Sequence, residues 1–570
     1  MSHTESFIAP PSDMEIEYTF DFHLAHNPNY PVFLRPEGST GGYKRLITYS
    51  DIVPGIHRAG QSIRKLTNTS SSSPTPLVAI FAEMNNMTYA TVILGCLRAG
   101  VTALLISPRF HPSVVAELLR MAGPSHILTN DRLREKTSLA LHELSKTPSY
   151  AMPAVIDAPL HSDLYPGHND FDPLPRHAEE FSKRALILHS SCSTSTCPKI
   201  IEWPSSYITS NSLAINYSDI FMEGKLFGAQ SAEFFHTAGL CFLFWLPRAG
   251  FIMAILSPDD PRAVIPADRD IAFEGFVNSQ VSVVWSSPRF FEAWSNDPEK
   301  VKFLAERECI VFGGSQLSKA AGDRLTSHGV KICNVYGATE CGYISKFVSE
   351  PQSEDWEYFS LNPGINCQLV PRENGAFEPY IISQKGFHEP AIRNAEWNGR
   401  PAYATGDGLV PHPFKKGYYK VIGRNKDQIL LSSGQVVDPM LLEDSLREHE
   451  EIKSAVVFGH GRPFLGVLIW PNALEAGNDT PTILQRIWSY VGGFIWQPVS
   501  ESNNDSFERI WSIIEAKNSM LPVHSQIRKE AFMIADKDRP FQFGEKGLPK
   551  RSLILDDYRK DIEKRYMSCL

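Results

Sequence analysis

The sequence predicts an α/β protein with a large N-terminal domain of layered, parallel-rich sheets and a small C-terminal α+β domain. Three observations predict this class. Short apolar runs bounded by Pro and Gly recur along the first part of the 570 residues. A helix-period pattern separates the first two of these runs, as in a strand–helix–strand unit. The pattern then changes after residues 423–428, where shorter elements follow.

The first strand–helix–strand unit lies in residues 77–106. Residues 77–81 and 102–106 are apolar and short enough to be buried strands, and residues 90–98 carry apolar side chains at helical spacing. Such a unit places its two strands parallel in one sheet. Further strands of the same kind are predicted at residues 185–188, 251–256, 281–285 and 310–312.

Residues 423–428 are interpreted as a hinge between two domains, residues 1–422 and residues 429–570. A 570-residue chain is too long for one ordinary domain. In the C-terminal domain the sequence predicts a strand at 428–431, a helix at 439–449 and a strand at 454–458. Two polar stretches, residues 67–76 and 501–506, are predicted to be surface loops.

The composition is that of an ordinary globular protein, with 42% hydrophobic and 21% charged residues. A formal net charge of −9 gives no basic footprint, so nucleic acid is not an expected partner. The nine cysteines are scattered without a CxxC pair, which is typical of reduced intracellular thiols. No signal-peptide pattern or membrane-spanning apolar run is visible, so a cytoplasmic location is expected. The last three residues, Ser568, Cys569 and Leu570, distantly resemble a peroxisomal address, which leaves that location as the alternative.

Two ordered motifs carry the functional information. The first is Val-Tyr-Gly-Ala-Thr-Glu at residues 335–340. The second is Tyr-Ala-Thr-Gly-Asp at residues 403–407, followed by Gly-Arg-Asn-Lys-Asp-Gln at residues 423–428. In this order they resemble the core signatures of the adenylate-forming superfamily, which includes acyl-CoA synthetases, luciferases and peptide-synthetase adenylation domains. The resemblance runs over nearly the whole chain. It implies a mobile C-terminal subdomain and activation of a carboxylic acid by ATP.

The resemblance gives the first motif its roles. Tyr336 is implied to lie against adenine, with Asn334 near the exocyclic amine, and Gly337 is counted among the ATP-binding residues. Thr339 is implied to contact phosphate. Glu340 is implied to bind Mg²⁺, a hard cation that prefers oxygen ligands. The alternative is a plain strand end followed by a turn at Gly337.

The second motif is implied to hold the ribose. Asp407 is expected to accept hydrogen bonds from both ribose hydroxyls, and Arg424 to complete that contact from the domain junction. An Asx turn is the alternative for Asp407. Lys426 occupies the hinge position of the family. Gly314 and Ser315 belong to a segment that resembles the loop beside adenine.

Residues 189–199 follow a predicted strand and are interpreted as the phosphate loop. Hydroxyls and backbone N–H groups in such a loop grip phosphate oxygens, and a terminal lysine adds charge. The family usually has two glycines here, whereas this chain has Ser193 and Thr196, which restrict the backbone more. An ordinary Ser/Thr-rich surface loop is the alternative. The residues expected to contact phosphate are Ser191, Ser193, Thr194, Ser195, Thr196 and Lys199.

Residues 543–551 resemble the last motif of the family, whose lysine enters the site for adenylation. Lys546 is the candidate, because related fungal enzymes have Lys-Gly at this point. Lys550 is the competing candidate, and a solvated basic loop is the third interpretation. With Thr339 and Glu340, Lys546 completes the residues expected to take part in catalysis.

The acid is expected to be an aryl, keto or fatty acid. Amino-acid-activating domains usually place an Asp after the Phe of the motif at residues 235–239, and this chain has His236 instead. The usual partner of an α-ammonium group is therefore missing. Trp285 and Gly313 complete the expected acyl pocket. Nearby aromatic residues support an apolar pocket, although core packing is the alternative for most of them. They are Phe234, Phe235, Phe242, Phe244, Trp245, Phe290 and Phe291.

The acceptor and the exact activity stay open. No Gly-Gly-His-Ser type of carrier site is present, so the acceptor is CoA, a separate phosphopantetheinyl carrier protein, or a later part of a longer protein. Residues 21–28 and 431–439 look most like fungal synthetase-like enzymes of secondary metabolism, including the aminoadipate-reductase type. Two alternatives are a catalytically weak homologue that binds nucleotide or acyl ligand, favoured by the glycine-poor phosphate loop, and a ligase with a non-thiol acceptor.

Overall fold

The structure is a computed structural model of the chain. It describes residues 6–37, 43–67, 76–177, 184–189, 199–258, 260–264, 267–350, 354–372, 375–424, 427–472, 504–519, 521–536, 538–544 and 547–567.

Strands and helices alternate through the first part of the chain, as a parallel-rich fold requires. The strands are β1 (Pro31–Glu37), β2 (Tyr43–Thr48), β3 (Leu77–Ile80), β4 (Thr102–Leu105), β5 (His126–Thr129), β6 (Ala154–Asp157), β7 (Leu186–His189), β8 (Ile200–Trp203), β9 (Leu226–Gly228), β10 (Ile252–Ala254), β11 (Val283–Trp285), β12 (Cys309–Gly313) and β13 (Ile332–Val335). The helices are α1 (Ile16–His26), α2 (Tyr49–Leu66), α3 (Asn86–Ala99), α4 (Pro112–Ala122), α5 (Arg134–Ser145), α6 (His161–Leu164), α7 (Ser205–Ser212), α8 (Thr237–Ala249), α9 (Arg269–Ser279), α10 (Pro288–Trp294), α11 (Pro298–Ala305) and α12 (Lys319–Ser327).

Two parallel-rich sheets form the body of the molecule. The first has the strand order β13-β12-β11-β9-β10-β1-β2, and among its described strands β2 alone runs antiparallel to its neighbour. The second has the order β6-β5-β3-β4-β7-β8, and among its described strands β8 alone runs antiparallel to its neighbour. The predicted fold class, with layered and mostly parallel sheets, is confirmed.

A shared core lies between the two sheets. Side chains of β1 and β3 belong to one buried cluster together with those of α2, α3 and α8. Helices α2 and α3 approach closely at two glycines, because a Cβ on Gly60 would lie 2.7 Å from the carbonyl oxygen of Gly95. The outer face of the first sheet is covered by α9 to α12, and that of the second by α4 and α5.

A third sheet follows in the chain and is antiparallel. Its order is β16-β22-β21-β18-β20-β19, with β17 on β18, and a hairpin of β14 and β15 precedes it. This sheet was not among the strands predicted from the sequence. The strands are β14 (Gly337–Ala338), β15 (Gly342–Tyr343), β16 (Phe359–Ser360), β17 (Cys367–Pro371), β18 (Phe377–Ile382), β19 (Ala395–Trp397), β20 (Arg400–Ala404), β21 (Asp407–Pro411) and β22 (Tyr418–Arg424).

The C-terminal part is an α+β unit with its own buried clusters on both faces of one sheet. That sheet has the order β25-β26-β27, and β23 pairs with β24 beside it. The predicted boundary at residues 423–428 stays a prediction, and Lys426 lies outside the described residues. The elements are β23 (Ile429–Leu430), β24 (Val436–Val437), α13 (Pro439–Arg447), β25 (Ile452–Phe458), β26 (Leu465–Pro471), α14 (Asn504–Asn518), β27 (Ile527–Ile534), α15 (Arg551–Asp557) and α16 (Arg559–Met567).

Most predicted elements are present, with ends that differ by a few residues. The predicted loop at residues 501–506 is wrong at its end, because residues 504–506 form the start of α14. Asn, Asp and Ser are favoured in turns and also at helix starts, so composition alone does not separate the two. Most of the predicted loop at residues 67–76 lies outside the described residues. None of the described helices is long and apolar enough to cross a bilayer.

Glu17 in α1 is a buried carboxyl whose titration should affect stability. Ser205 Oγ lies 2.9 and 2.7 Å from the two carboxyl oxygens and donates its one hydrogen to the carboxyl, yet burial outweighs this bond and raises the pKa of Glu17 to about 7. A folded-state pKa above the unfolded value means that the folded chain holds the proton more tightly, so stability falls as pH rises from about 4.5 through about 7. We expect Glu17→Gln to raise the free energy of unfolding at about pH 8 by on the order of 3 kcal/mol.

Urea unfolding at several pH values tests this expectation. The gain should disappear below about pH 4.5, where the wild-type carboxyl is protonated in both states. Glu135→Gln, at an exposed position in α5, is the matched control and should leave the pH profile unchanged. Parallel pH profiles for wild type and Glu17→Gln would contradict the assigned role of burial.

Candidate active site

A pocket lies where the carboxyl ends of parallel strands from the two main sheets meet. It encloses about 180 Å³. Each lining segment follows a strand: Arg109 comes after β4, His189 ends β7, and Glu233 comes after β9. Ligands of open parallel sheets bind at such an edge, because the connecting loops and free backbone groups collect there. The pocket is therefore the candidate site on positional grounds alone.

The floor of the pocket is built from glycines. A Cβ on Gly313 would lie 2.6 Å from Val335 Cγ2, and one on Gly337 would lie 2.4 Å from the carbonyl oxygen of Gly342. Neither position has room for a side chain. Gly314 and Ser315 continue the same wall. The two glycines therefore allow neighbouring segments of the chain to pack closely beside the pocket.

Thr339 and Glu340 follow the β14 strand at one side of the pocket. Thr339 lines it and is held from two sides: Thr237 Oγ1 donates to its hydroxyl at 3.0 Å, and Trp203 Nε1 donates to its carbonyl at 2.9 Å. Glu340 is half-buried and forms no ion pair with any residue that the structure describes. Burial, and then the negative charge of Glu340, raises the pKa of the Cys341 thiol well above its usual value. A carboxylate of this kind beside a hydroxyl fits a magnesium ion that keeps waters and also binds phosphate.

A charged cluster forms the opposite wall. Arg109 makes a bidentate pair with Glu233, with Nη1–Oε1 at 2.6 Å and Nη2–Oε2 at 2.7 Å. His236 Nε2 lies 3.3 Å from the second oxygen of the same carboxylate. His236, which was expected in the acyl pocket, therefore lies on the wall of this pocket. Both oxygens of Glu233 are engaged by these two neighbours.

Tyr336, Asp407 and Arg424 form a second cluster next to this pocket. Tyr336 Oη donates to Asp407 Oδ2 at 2.7 Å, and Arg424 Nε lies 3.4 Å from Asp407 Oδ1. Burial, and then the charge of Asp407, raises the pKa of Tyr336 well above its usual value, so the hydroxyl remains a donor. The Tyr336 ring stacks on Phe359, with centroids 5.3 Å apart, and Asn334 Nδ2 donates to the carbonyl of Glu357 at 2.8 Å.

Gly547 of the C-terminal unit lies beside Arg289, a residue of the described pocket lining. The N–H of Gly544 donates to the carbonyl of Leu548 at 2.8 Å, and the N–H of Gly547 donates to that of Gly544 at 2.9 Å. A Cβ on Gly547 would lie 3.9 Å from Arg289 Cδ, and Arg289 lines the pocket. Lys546, between these residues in sequence, lies outside the described part of the chain.

The aromatic residues divide into two groups. Trp285 and Phe290 line the pocket. The other aromatic residues that the sequence indicated are fully buried in the core, which was the alternative interpretation, so the described pocket has fewer aromatic groups than the sequence alone indicated. They are Phe234, Phe235, Phe242, Phe244, Trp245 and Phe291.

The expected phosphate loop is described at its two ends. Lys199 is exposed at the start of β8, and His189 lines the pocket at the end of β7. The first residue of the expected loop therefore lies at the pocket. The expected phosphate contacts Ser191, Ser193, Thr194, Ser195 and Thr196 lie outside the described residues.

Comparison with known sequences decides the family. The profile of the AMP-binding enzyme family matches residues 20–375. The chain belongs to the AMP-binding enzyme family. The profile of the AMP-binding enzyme C-terminal domain matches residues 426–494 and 496–569 of this AMP-binding enzyme.

Relatives of this AMP-binding enzyme include fungal reductases, as the resemblance indicated. Adenylate-forming reductase Nps10 of Heterobasidion annosum is 30% identical over 99% of the chain and 51% of its own length. Carboxylic acid reductase of Neurospora crassa is 23% identical over 92% of the chain and 47% of its own length. The chain thus spans about half the length of these curated relatives.

Solved structures show the same fold. O-succinylbenzoate coenzyme A synthetase (MenE) from Bacillus subtilis, in complex with ATP and magnesium ion, matches this AMP-binding enzyme with a TM-score of 0.66. The match covers 94% of the chain and 98% of the synthetase at 15% sequence identity. At that identity the likeness shows the fold alone, and it confirms the predicted arrangement of sheets.

Three charged residues of the described pocket lining were missed in the sequence: Arg109, Glu233 and Arg289. Each follows the carboxyl end of a parallel strand, namely β4, β9 and β11. For Arg109 and Arg289 that position was an available signal, since strands at residues 102–106 and 281–285 were predicted, whereas β9 was not. The pairing of Arg109 with Glu233, 124 residues apart in the chain, depends on how the two sheets meet. Sequence patterns of short range carry no information about it.

Proposed function

We propose that this AMP-binding enzyme activates a carboxylic acid with ATP. The carboxylate oxygen attacks the α-phosphorus, the bond from that phosphorus to the bridging oxygen breaks, and pyrophosphate leaves with formation of an acyl-adenylate. A thiol of CoA or of a separate phosphopantetheinyl carrier protein then attacks the acyl carbon and releases AMP. The observation that carries the proposal is a single pocket shared by His236 and Trp285, expected on the acyl side, and Thr339, expected on the phosphate side.

The residues around this pocket have distinct roles in the proposed reaction. Thr339 contacts phosphate, and its hydroxyl is oriented by Thr237. Glu340 is the protein ligand of Mg²⁺, which when bound neutralises phosphate charge. Asp407 accepts from the ribose hydroxyls beside Tyr336 and Arg424. These roles follow the family motifs, and the half-buried carboxylate of Glu340 and the fixed hydroxyl of Thr339 support them.

The electrostatics of the pocket support a substrate without an α-ammonium group. The described lining carries two guanidinium groups, Arg109 and Arg289, and one carboxylate, Glu233. That carboxylate is already paired with Arg109 through two hydrogen bonds. An ammonium group would therefore meet net positive charge, and the described lining offers it no second acid. A volume of about 180 Å³ also favours a small aryl or keto acid over a long fatty acid.

ATP–pyrophosphate exchange tests the proposal. The panel contains small aryl acids, α-keto acids, short and long fatty acids, and α-amino acids. We expect exchange with small aryl or keto acids and none with α-amino acids. Asp407→Ala is measured beside the wild type at ATP concentrations below the KM, where loss of the proposed ribose contact should lower the exchange rate.

One sequence observation favours a second candidate function: Ser193 and Thr196 replace the glycines that the family usually has in the phosphate loop. In that case the protein binds nucleotide or acyl ligand without useful turnover. Absence of exchange with every acid, in protein whose folding is verified by circular dichroism, would contradict the enzyme proposal and favour the binding function.

The domain movement is part of the same proposal. We assign residues 1–422 to the large domain, residues 429–570 to the mobile subdomain and residues 423–428 to the hinge, with rotation about Lys426 between adenylation and thiol attack. The closeness of Gly547 to Arg289 supports a closed arrangement for the first step. The second step requires that these two residues separate.

A further inference from the structure

Arg289 stands at the mouth of the pocket. It is the second residue of α10, which follows β11, and it lines the pocket together with Trp285 and Phe290. Its side chain is exposed, and its guanidinium carbon lies 5.1 Å from the ring centroid of Phe290. Among the described residues, no carboxylate forms an ion pair with Arg289, whereas Arg109 is already paired with Glu233.

The electrostatic surroundings of Arg289 are unfavourable for a cation. Partial burial, and then the positive charge of Arg109, lower the pKa of Arg289, and the smaller effect of the negative charge of Glu233 opposes them. Because Glu233 is committed to Arg109, the pocket carries one positive charge that no carboxylate of the described lining neutralises. Many surface arginines lack an acidic partner, but this one faces a cavity whose other wall is the proposed acid-binding site.

We propose that Arg289 recognises a second anionic group on the substrate, in addition to the carboxylate that is activated. This inference rests on the proposed adenylation. The aromatic walls of Trp285 and Phe290 accept a flat or apolar body, and the planar fork of an arginine binds a carboxylate through two hydrogen bonds. The expected substrate class is a small dicarboxylic acid, with one acid group near Thr339 and the other near Arg289.

Matched pairs of acids test the inference by ATP–pyrophosphate exchange. Each pair shares a skeleton and differs in one acid group, such as benzene-1,4-dicarboxylate with 4-methylbenzoate, and pentanedioate with pentanoate. The measured quantity is the ratio of kcat/KM for the diacid to that for the monoacid. We expect the wild type to prefer diacids and Arg289→Gln to lower the ratio by roughly 10- to 100-fold, the range for a lost charged hydrogen bond. Arg289→Lys should restore part of the preference.

Arg269→Gln is the matched control, because Arg269 is another exposed arginine at the start of a helix and does not belong to the described pocket lining. It should keep the wild-type ratio. An unchanged ratio in Arg289→Gln would overturn the inference. The inference would also be overturned if Arg289→Gln kept the wild-type ratio and raised the KM for CoA but not the KM for pantetheine, which lacks the phosphates of CoA. That result would assign the anion to the acceptor.

Calorimetric titration of the same pairs without ATP separates this inference from the proposed function. If no acid supports exchange, the proposed function fails, and the inference is then decided by binding alone. Tighter binding of the diacid to wild type than to Arg289→Gln would support it. Equal binding of diacid and monoacid by the wild type would overturn it.

Discussion

Replacing Lys546 with alanine is expected to lower the rate of ATP–pyrophosphate exchange by about two to three orders of magnitude, the usual effect of removing one group that stabilises developing charge. A lysine at this position is proposed to steady the charge shared by the attacking carboxylate and the α-phosphate. Lys546 lies outside the described residues, but Gly547, next to it, is close to Arg289 at the pocket mouth. Exchange measured at saturating ATP and acid gives the effect directly.

Lys550→Ala is the matched control. Lys550 precedes α15, its N–H donates to the carbonyl of Gln542 at 2.7 Å, and its side chain is not part of the described pocket lining. We expect exchange close to wild type in this variant, and melting temperatures close to wild type in both. Full activity in Lys546→Ala together with loss of activity in Lys550→Ala would show that the lysine was assigned to the wrong position.

The main sheets could be predicted because their strands are buried on both faces. Such strands are continuous apolar runs, as in β3 and β4, where every residue is buried. The antiparallel sheet formed by β16 to β22 gave no such signal. Strands such as β17 and β22 are largely half-exposed and mix polar with apolar residues, so their pairing depends on partners distant in the chain.

The sequence motifs predicted only those residues of the candidate site that belong to the motifs themselves. Thr339 lines the pocket. Tyr336 contacts Asp407, although these two residues are 71 positions apart in the chain and belong to different motifs. What the motifs did not contain is the charge balance of the pocket. The Arg109–Glu233 pair joins loops after strands of different sheets, so it exists only once the sheets are packed. In the proposed function, substrate preference depends on that balance more than on the aromatic residues, most of which are buried in the core.

Asp407→Ala is expected to raise the KM for ATP by roughly 10- to 100-fold, because charged hydrogen bonds to the ribose hydroxyls are lost. The position of Asp407 suits this contact, since it begins β21, pairs in register with Arg424 of β22, and is mostly buried. Steady-state exchange at varied ATP and fixed acid measures the effect. A kcat that falls much less than kcat/KM is expected, since the ribose contact is made in the ground state as well as in the transition state.

The Tyr336→Phe variant distinguishes the role of the Asp407 carboxylate from that of its hydrogen bond with Tyr336. The variant removes the hydroxyl that donates to Asp407 at 2.7 Å but keeps the ring that packs on Phe359. Because Arg424 still holds the carboxylate, we expect the KM for ATP to rise only about 2- to 10-fold, as for one neutral hydrogen bond. An Asp407→Ala variant with an unchanged KM for ATP, or a Tyr336→Phe variant with the larger effect, would place the ribose contact on another residue. Both variants lose the Tyr336–Asp407 hydrogen bond and are therefore expected to melt at a lower temperature than the wild type. The KM values must be compared well below these melting temperatures.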